Sequence, residues 1–171
     1  IQRFLTLGKT VPRERRLVDL AEVIQEATAL VEPTAAHVGV EITRTSASDM
    51  IVTGDHESLV QMLVNLLVNG VEAAAKQRVG AAGGVAVATL TQVRLTGSRT
   101  AGGWELAVVD PGPGPAAAIA PRLFQPFATD KPGGTGLGLA VSKQIAEDHS
   151  GRVRWERRGE QTWFIALLPA R

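Results

Sequence analysis

Three stretches of this chain carry side chains and backbone suited to holding a polar ligand. The first is Asp55 to Ala75, DHESLVQMLVNLLVNGVEAAA, whose pattern predicts a helix. At ~100° per residue, Ser58, Gln61, Asn65, Asn69 and Glu72 share an arc of roughly 80°. Leu59, Val60, Leu63, Val64, Leu66, Leu67 and Val71 fill the rest of the wheel. A solvated helix face would use Lys, Glu and Arg. A line of mostly uncharged amides on an apolar body implies a polar object in front of it or, as the plainer alternative, buried amides bonded to neighbouring backbone.

The second stretch, Asp110-Pro111-Gly112-Pro113-Gly114, follows an apolar strand that ends Val108-Val109. It delivers a carboxylate to the edge of the core on a backbone stiffened by prolines and opened by glycines. Such an Asp can accept from an exocyclic amine, the feature that separates adenine from guanine, and Gly lets a flat ring approach the backbone. The alternative is a plain Asp-Pro-Gly turn. The third stretch, Gly133-Gly134-Thr135-Gly136-Leu137-Gly138-Leu139, opens onto a helix with Ala140, Val141, Ile145 and Ala146 inward. Free N–H groups at a helix start, beside the positive end of the dipole, seat phosphate. This is not a Walker A loop, since no Lys-Ser/Thr follows the last Gly, nor a dinucleotide fingerprint, since no strand immediately precedes it.

The elements that must position these residues can be read along the chain. Ile1 to Leu7 suits the last turns of a helix stopped by Gly8, and the Pro- and Arg-containing stretch that follows reads as a linker. The expected division is 1–8 helix end, 9–18 linker and 19–171 main domain. Arg16 to Leu20 reads as a short strand, and Asp19 caps a helix through Ala21, Val23, Ile24, Ala27, Leu30 and Val31. Pro33 is expected to kink or end it unless its missing bond is tolerated. Val38 to Thr43 and Met50 to Thr53 read as strands, and the amide-striped helix ends near Arg78, before a loop holding Gly80, Gly83 and Gly84. Val85 to Leu95 and Trp104 to Val109 form an antiparallel pair joined by a polar turn at Thr96 to Gly103. Thr135 to Ser150 reads as helical after its glycines, and strands at Arg152 to Glu156 and Thr162 to Leu168 complete the chain. The pattern predicts an α+β two-layer sandwich, a mixed and mostly antiparallel sheet covered on one face by helices.

Composition narrows the function. With 171 residues the chain makes about one domain, and a net charge of +1 with no long basic block argues against a nucleic-acid partner held by phosphate neutralisation. Cysteine is absent, so disulfides and thiolate metal sites are excluded, and three scattered His residues do not suit zinc. No apolar run of ~18 residues or signal peptide is evident, although a piece of a larger membrane protein would look the same. The opening at Ile1 without Met suggests such a piece. A cytoplasmic location is expected, with the parent protein free to be membrane-anchored.

In this order, the motifs resemble those of the Bergerat-type (GHKL) ATP-binding fold, and within it the catalytic domain of bacterial sensor histidine kinases. Asn65 to Asn69 is similar to the family's N box, Asp110 to Gly114 to its G1 box, Leu123 to Phe127 to its F box and Gly134 to Leu139 to its G2 box. The resemblance covers nearly the whole chain and implies ATP and Mg²⁺ as ligands. It implies Asn69 as the magnesium ligand, with Asn65 touching phosphate, metal-bound water or the metal. Asp110 would accept from the adenine amine, with Gly112 and Gly114 giving the ring room. The backbone over Thr135, Gly136, Leu137, Gly138 and Leu139 would hold phosphates, and Lys131 would reach the terminal one.

The short span from Phe127 to Gly133 resembles kinases of the nitrogen-regulation type, although Ala128-Thr129-Asp130-Lys131 stands where they usually have Phe-Thr-Thr-Lys. Gly70, where the family usually has Ala, and Pro115 also depart from the pattern. ATP-hydrolysing relatives carry a Glu one turn before the metal Asn. Asn65 cannot act as that base, so transfer to a protein acceptor is favoured over hydrolysis. By resemblance the parent is a homodimer. Its partners would be its own dimerisation helices, bearing the acceptor His missing here, and a response-regulator receiver domain. His56-Glu57 is rejected as acceptor because it lies in the first turn of the N-box helix, His37 reads as solvated, and His149 reads as a cation at a helix C-terminus. The competing readings are a nucleotide-free degenerate module that docks a partner, suggested by Asp130 and Pro115, and an ATPase or serine kinase of the same fold.

Overall fold

The computed structural model describes residues 15–81, 91–131 and 133–171. The elements are β1 (Arg16–Asp19), α1 (Leu20–His37), β2 (Val40–Ser46), β3 (Ile51–Gly54), α2 (His56–Ala81), β4 (Thr91–Thr100), β5 (Gly103–Asp110), a 3-10 turn (Ala120–Arg122), α3 (Gly138–Asp148), β6 (Arg152–Arg158) and β7 (Gln161–Pro169). Five strands form one sheet in the order β2-β4-β5-β7-β6, parallel between β2 and β4 and antiparallel elsewhere. β1 and β3 pair separately, Arg16 opposite Gly54.

Alternation decides which face of the sheet is covered. Val93 and Leu95 on β4, Trp104, Leu106 and Val108 on β5, and Phe164, Ala166 and Leu168 on β7 all sit in the buried core. Register aligns them across strands, Leu95 with Val108 and Val108 with Phe164. The helices pack on that face, α2 between α1 and α3. On the opposite face the Trp163 ring lies under the guanidinium of Arg158 at 4.1 Å and that of Arg94 at 5.9 Å. Long basic side chains thus cover its apolar surface.

α2 is the central helix because Leu59, Met62, Leu63, Leu66, Leu67, Val71 and Ala74 are all buried. Burying each large apolar side chain is worth about 1.5–3 kcal/mol, so this row outweighs the about 1 kcal/mol that Gly70 costs in helix propensity. The glycine has a packing reason. A Cβ at position 70 would lie 3.2 Å from Val108 and 3.3 Å from Val93, so α2 rests on β4 and β5 through bare backbone.

Several expectations are met and others are corrected. Asp19 caps α1, accepting from the Ala21 N–H at 2.8 Å. Pro33 lies within α1, which continues to His37. Pro33 is exposed on the outer side, and buried Val31 and Ala35 hold the last turns down. β4 runs on to Thr100, so the turn shrinks to residues 101 and 102. The polar Thr96 and Ser98 that suggested a loop are residues of the sheet's open face, alternating with buried Leu95 and Gly97. α2 extends through Gly80 to Ala81, one glycine being too small a cost to stop a long helix. α3 starts at Gly138, at the end of the glycine stretch, because Gly136 has φ +65° and cannot join a right-handed helix. The expected helix end at 1–8, linker residues 9–14 and the part of the strand at 85–90 lie outside the described residues.

His149 differs most from its expected role as a cation at a helix C-terminus. It is buried, its Nε2 accepts from the Asp55 N–H at 3.0 Å, and its Nδ1 lies 2.7 Å from the Ile145 carbonyl. An imidazole that accepts at one nitrogen and donates at the other is neutral. It ties the end of α3 to the start of α2, and so fixes how the two helices that flank the cleft meet.

Candidate functional site

A cleft of about 720 Å³ opens between α2, the turn after β5 and the segment that precedes α3. Asn69, Asp110, Gly114, Lys131, Thr135, Gly136, Gly138 and Leu139 line it together, although the sequence separates them widely. Asn65, Gly112 and Leu137 stand just behind. Asn65 Nδ2 donates to the Gly138 carbonyl at 3.2 Å, joining the amide stripe to the start of α3. Leu137 is buried. Gly112 packs so closely that a Cβ there would lie 2.7 Å from Asp110 Oδ1 and 2.8 Å from the Ala73 methyl.

Asp110 ends β5 at the floor of the cleft and is 1% exposed. Its Oδ1 accepts from the Gly112 N–H at 2.7 Å. Its Oδ2 is sealed from solvent and has no hydrogen-bond partner among the described residues. An orphaned acceptor of this kind costs about 1–3 kcal/mol, which a ligand donor can recover. Burial pushes the Asp110 carboxyl up from 3.8 to about 6, against the opposing pull of the Gly112 N–H, Arg157 and Lys131.

The folded pKa lies above the unfolded one, so this group favours the fold most below pH 3.8, and its contribution is lost as pH rises through about 6. Lowering the pH from about 7.5 to about 5.5 should therefore stabilise the ligand-free domain by about 1 kcal/mol through this residue alone. Calorimetry should show that increment in the parent chain and its absence in Asp110→Asn.

The wall beside Asp110 was not singled out from the sequence. Thr162 faces Asp110 across the β5–β7 ladder, is 1% exposed, and donates to the Gly112 carbonyl at 2.8 Å. Arg157 on β6 donates to that carbonyl and, at 3.0 Å, to Thr162 Oγ1. The two hold the Asp-Pro-Gly turn from behind. Ile119, Leu123 and Phe164 add an apolar side. No local motif marks Thr162 or Arg157, because non-local strand pairing brings them to the turn.

At the other end of the cleft, α3 begins without a side-chain cap, and the first helical bond there is Val141 N–H to Leu137 O at 2.9 Å. Gly136 and Gly138, just ahead of that bond, line the cleft. Ser142 is buried against α2, donating to the Gly138 carbonyl at 2.9 Å, and so helps hold this helix start in place. Gly136 has φ +65°, and its carbonyl accepts from the Phe127 N–H at 3.0 Å, which fixes the base of the loop between them. Lys131 Nζ donates to Asn69 Oδ1 at 2.8 Å and pairs with the Glu72 carboxylate. Asp130 lines the cleft and is exposed. His37 is exposed, and His56 Nε2 lies 2.7 Å from Glu26 Oε2 at the far end of α2, so neither belongs to the site.

A mostly apolar cleft of this size, with a buried acceptor at one end and a helix start at the other, suits a nucleotide. Residues 54–171 match the family model described as histidine kinase-, DNA gyrase B- and HSP90-like ATPase. The chain therefore belongs to that ATPase family, and within it to the catalytic, ATP-binding domains of sensor histidine kinases. It is 41% identical over 115 residues to the C4-dicarboxylate transport sensor protein DctB of Rhizobium meliloti (strain 1021), covering 67% of this chain and 17% of that protein. It is 31% identical over 172 residues to the sensor histidine kinase ZraS of Escherichia coli (strain K12), covering 99% of this chain and 34% of that one. Among solved structures, the catalytic domain of histidine kinase ThkA superposes with a TM-score of 0.76 at 26% identity, covering 92% of this chain and 96% of that domain. The chain thus spans at most about a third of the length of these two curated relatives.

Proposed function

We propose that this domain binds Mg-ATP in the cleft and presents the γ-phosphoryl group to a His on a dimerisation helix of the same protein, for onward transfer to an Asp of a response regulator. The reading rests on Asp110 Oδ2, a buried acceptor at the cleft floor with no donor among the described residues. The adenine 6-amino group is the donor that fits it, and Gly114, at φ +84° beside Thr162 and Trp155, leaves the ring room. The free amides at the start of α3 receive the phosphates. Gly112 serves indirectly, its N–H and carbonyl orienting Asp110 and Thr162.

Asn69 Oδ1 is the oxygen that would hold the metal, with Asn65 further along the stripe. Among the described residues no three His, Asp and Glu side chains converge to hold a metal unaided, so the remaining ligands would come from phosphate and water. Bound there, magnesium would supply charge neutralisation across the phosphates. Asn65 spends its amide on Gly138 and offers no carboxylate to activate water, which supports transfer over hydrolysis. The catalytic step breaks the β–γ bridging P–O bond and forms a P–N bond to the acceptor imidazole, which this chain does not supply. A cytoplasmic location, where ATP and the regulator would meet it, and a dimeric parent follow from the same proposal.

A fluorescent ATP analogue should bind saturably, more tightly with magnesium than with chelator, and no steady phosphate release should follow. Asn69→Ala is expected to erase most of the magnesium dependence while leaving chelator-condition binding within about threefold. A folded domain that shows no saturable binding would sink the proposal and favour a nucleotide-free docking module. Continuous phosphate release would favour an ATPase.

A further inference from the structure

One contact in the cleft is made by a charge from the chain itself. Asn69 and Glu72 lie three residues apart on one face of α2, and both turn an oxygen toward the Lys131 ammonium, Asn69 Oδ1 at 2.8 Å and Glu72 through an ion pair. Lys131 is held in that direction by its own turn, its N–H donating to Thr129 Oγ1 at 3.1 Å. Asn69 Oδ1 is the same atom that the nucleotide reading assigns to the metal. An amide oxygen directed at an ammonium is not free to enter the inner shell of a hard cation, so one occupant must leave for the other to bind.

We propose that Asn69 and Glu72 form a single cation seat for which Lys131 and a divalent ion compete. Lys131 thereby latches the segment after Phe127 onto α2 until the metal arrives. The inference rests on the Mg-ATP reading and adds Glu72 to it as a positioning residue. With a metal on Asn69, Glu72 would add its negative charge to the seat, and the displaced ammonium would be free to turn to the phosphates and offset the negative charge of neighbouring Asp130. The latch is suited to reversal. The Lys131 and Glu72 side chains are 30% and 49% exposed, so solvent screens the pair and its strength is modest.

The test uses Lys131→Met, Glu72→Gln and, as a control, Lys143→Met, which removes an exposed cation on α3 that pairs with Glu147 outside the cleft. Thermal unfolding first verifies that each variant is folded. Without nucleotide, amide hydrogen exchange over residues 128–131 and 133–136 should accelerate in both latch variants and not in the control. With the fluorescent ATP analogue, the magnesium concentration at half-maximal binding should fall about threefold to tenfold in Lys131→Met, because the competitor is gone. It should rise by a similar factor in Glu72→Gln and stay put in Lys143→Met. Unchanged exchange in both latch variants, midpoints that move the same way, or a control that shifts as far as Lys131→Met would overturn the latch. Failure of the parent chain to bind any nucleotide would instead overturn the Mg-ATP reading.

Discussion

Asp110→Asn is expected to leave the fold intact and to raise the Kd for ATP analogues by about a hundredfold or more. The substitution changes almost nothing in shape. Oδ1 keeps the Gly112 N–H at 2.7 Å, and that bond orients the new amide so that its NH₂ replaces Oδ2. The atom without a partner then becomes a donor, facing the amino group of adenine in a water-poor pocket where two donors cannot share a bond. Hydrogen bonds to charged acceptors contribute about 1.5–3 kcal/mol, and leaving the new donor unsatisfied adds to the loss. The same polarity argument predicts partial recovery with a 6-oxo purine triphosphate, whose carbonyl can accept from that NH₂. Titrating both nucleotides by fluorescence displacement checks this. If adenine and 6-oxo nucleotides weaken equally, the base does not meet Oδ2.

That acceptor was legible in the sequence because its context is local, with a β-strand, an Asp and a Pro-Gly turn following one another. The amide stripe was legible for the same reason, since helical periodicity puts Asn65, Asn69 and Glu72 on one line without any knowledge of the fold. What could not be read is what each side chain touches. No local pattern announced that Lys131 contacts Asn69 and Glu72, which precede it by about sixty residues in the chain. Thr162 looked like an ordinary strand residue until β7 paired with β5 and set it opposite Asp110.

The errors in element boundaries share one cause. Thr96 and Ser98 read as loop because polarity was taken for a turn, whereas a sheet covered on one face needs polar residues on the other. Gly80 was taken as a stop, and Pro33 as a kink or stop unless tolerated, because propensity is a local quantity, and helix packing overrode it. His149 was read as a cation because its position near a helix end favours positive charge. Its actual partner, the Asp55 N–H, lies in another element, and the need to accept from that donor keeps the ring neutral.

Gly136→Ala should lower nucleotide affinity by about a hundredfold while shifting the unfolding temperature little. Gly136 sits at φ +65°, where an L side chain costs about 1–2 kcal/mol. Its Cβ would also lie 2.6 Å from the Phe127 carbonyl carbon and 2.8 Å from the Ala128 nitrogen, both backbone atoms that no rotamer change can move aside. Phe127 is itself left-handed at φ +64° and 74% exposed, so little packing holds it in that conformation beyond its bond to the Gly136 carbonyl. A methyl at position 136 breaks that bond and lets Phe127 relax, carrying the segment with Lys131 away from α2. The loop is near the surface and contributes few core residues, so the domain need not unfold to accommodate the change. The amides ahead of α3, proposed to seat the phosphates, lose their alignment, and the loss falls on binding. Affinity and calorimetry on one preparation check this, and a fall in melting temperature that matches the loss of binding would place Gly136 in the fold's stability rather than in its site.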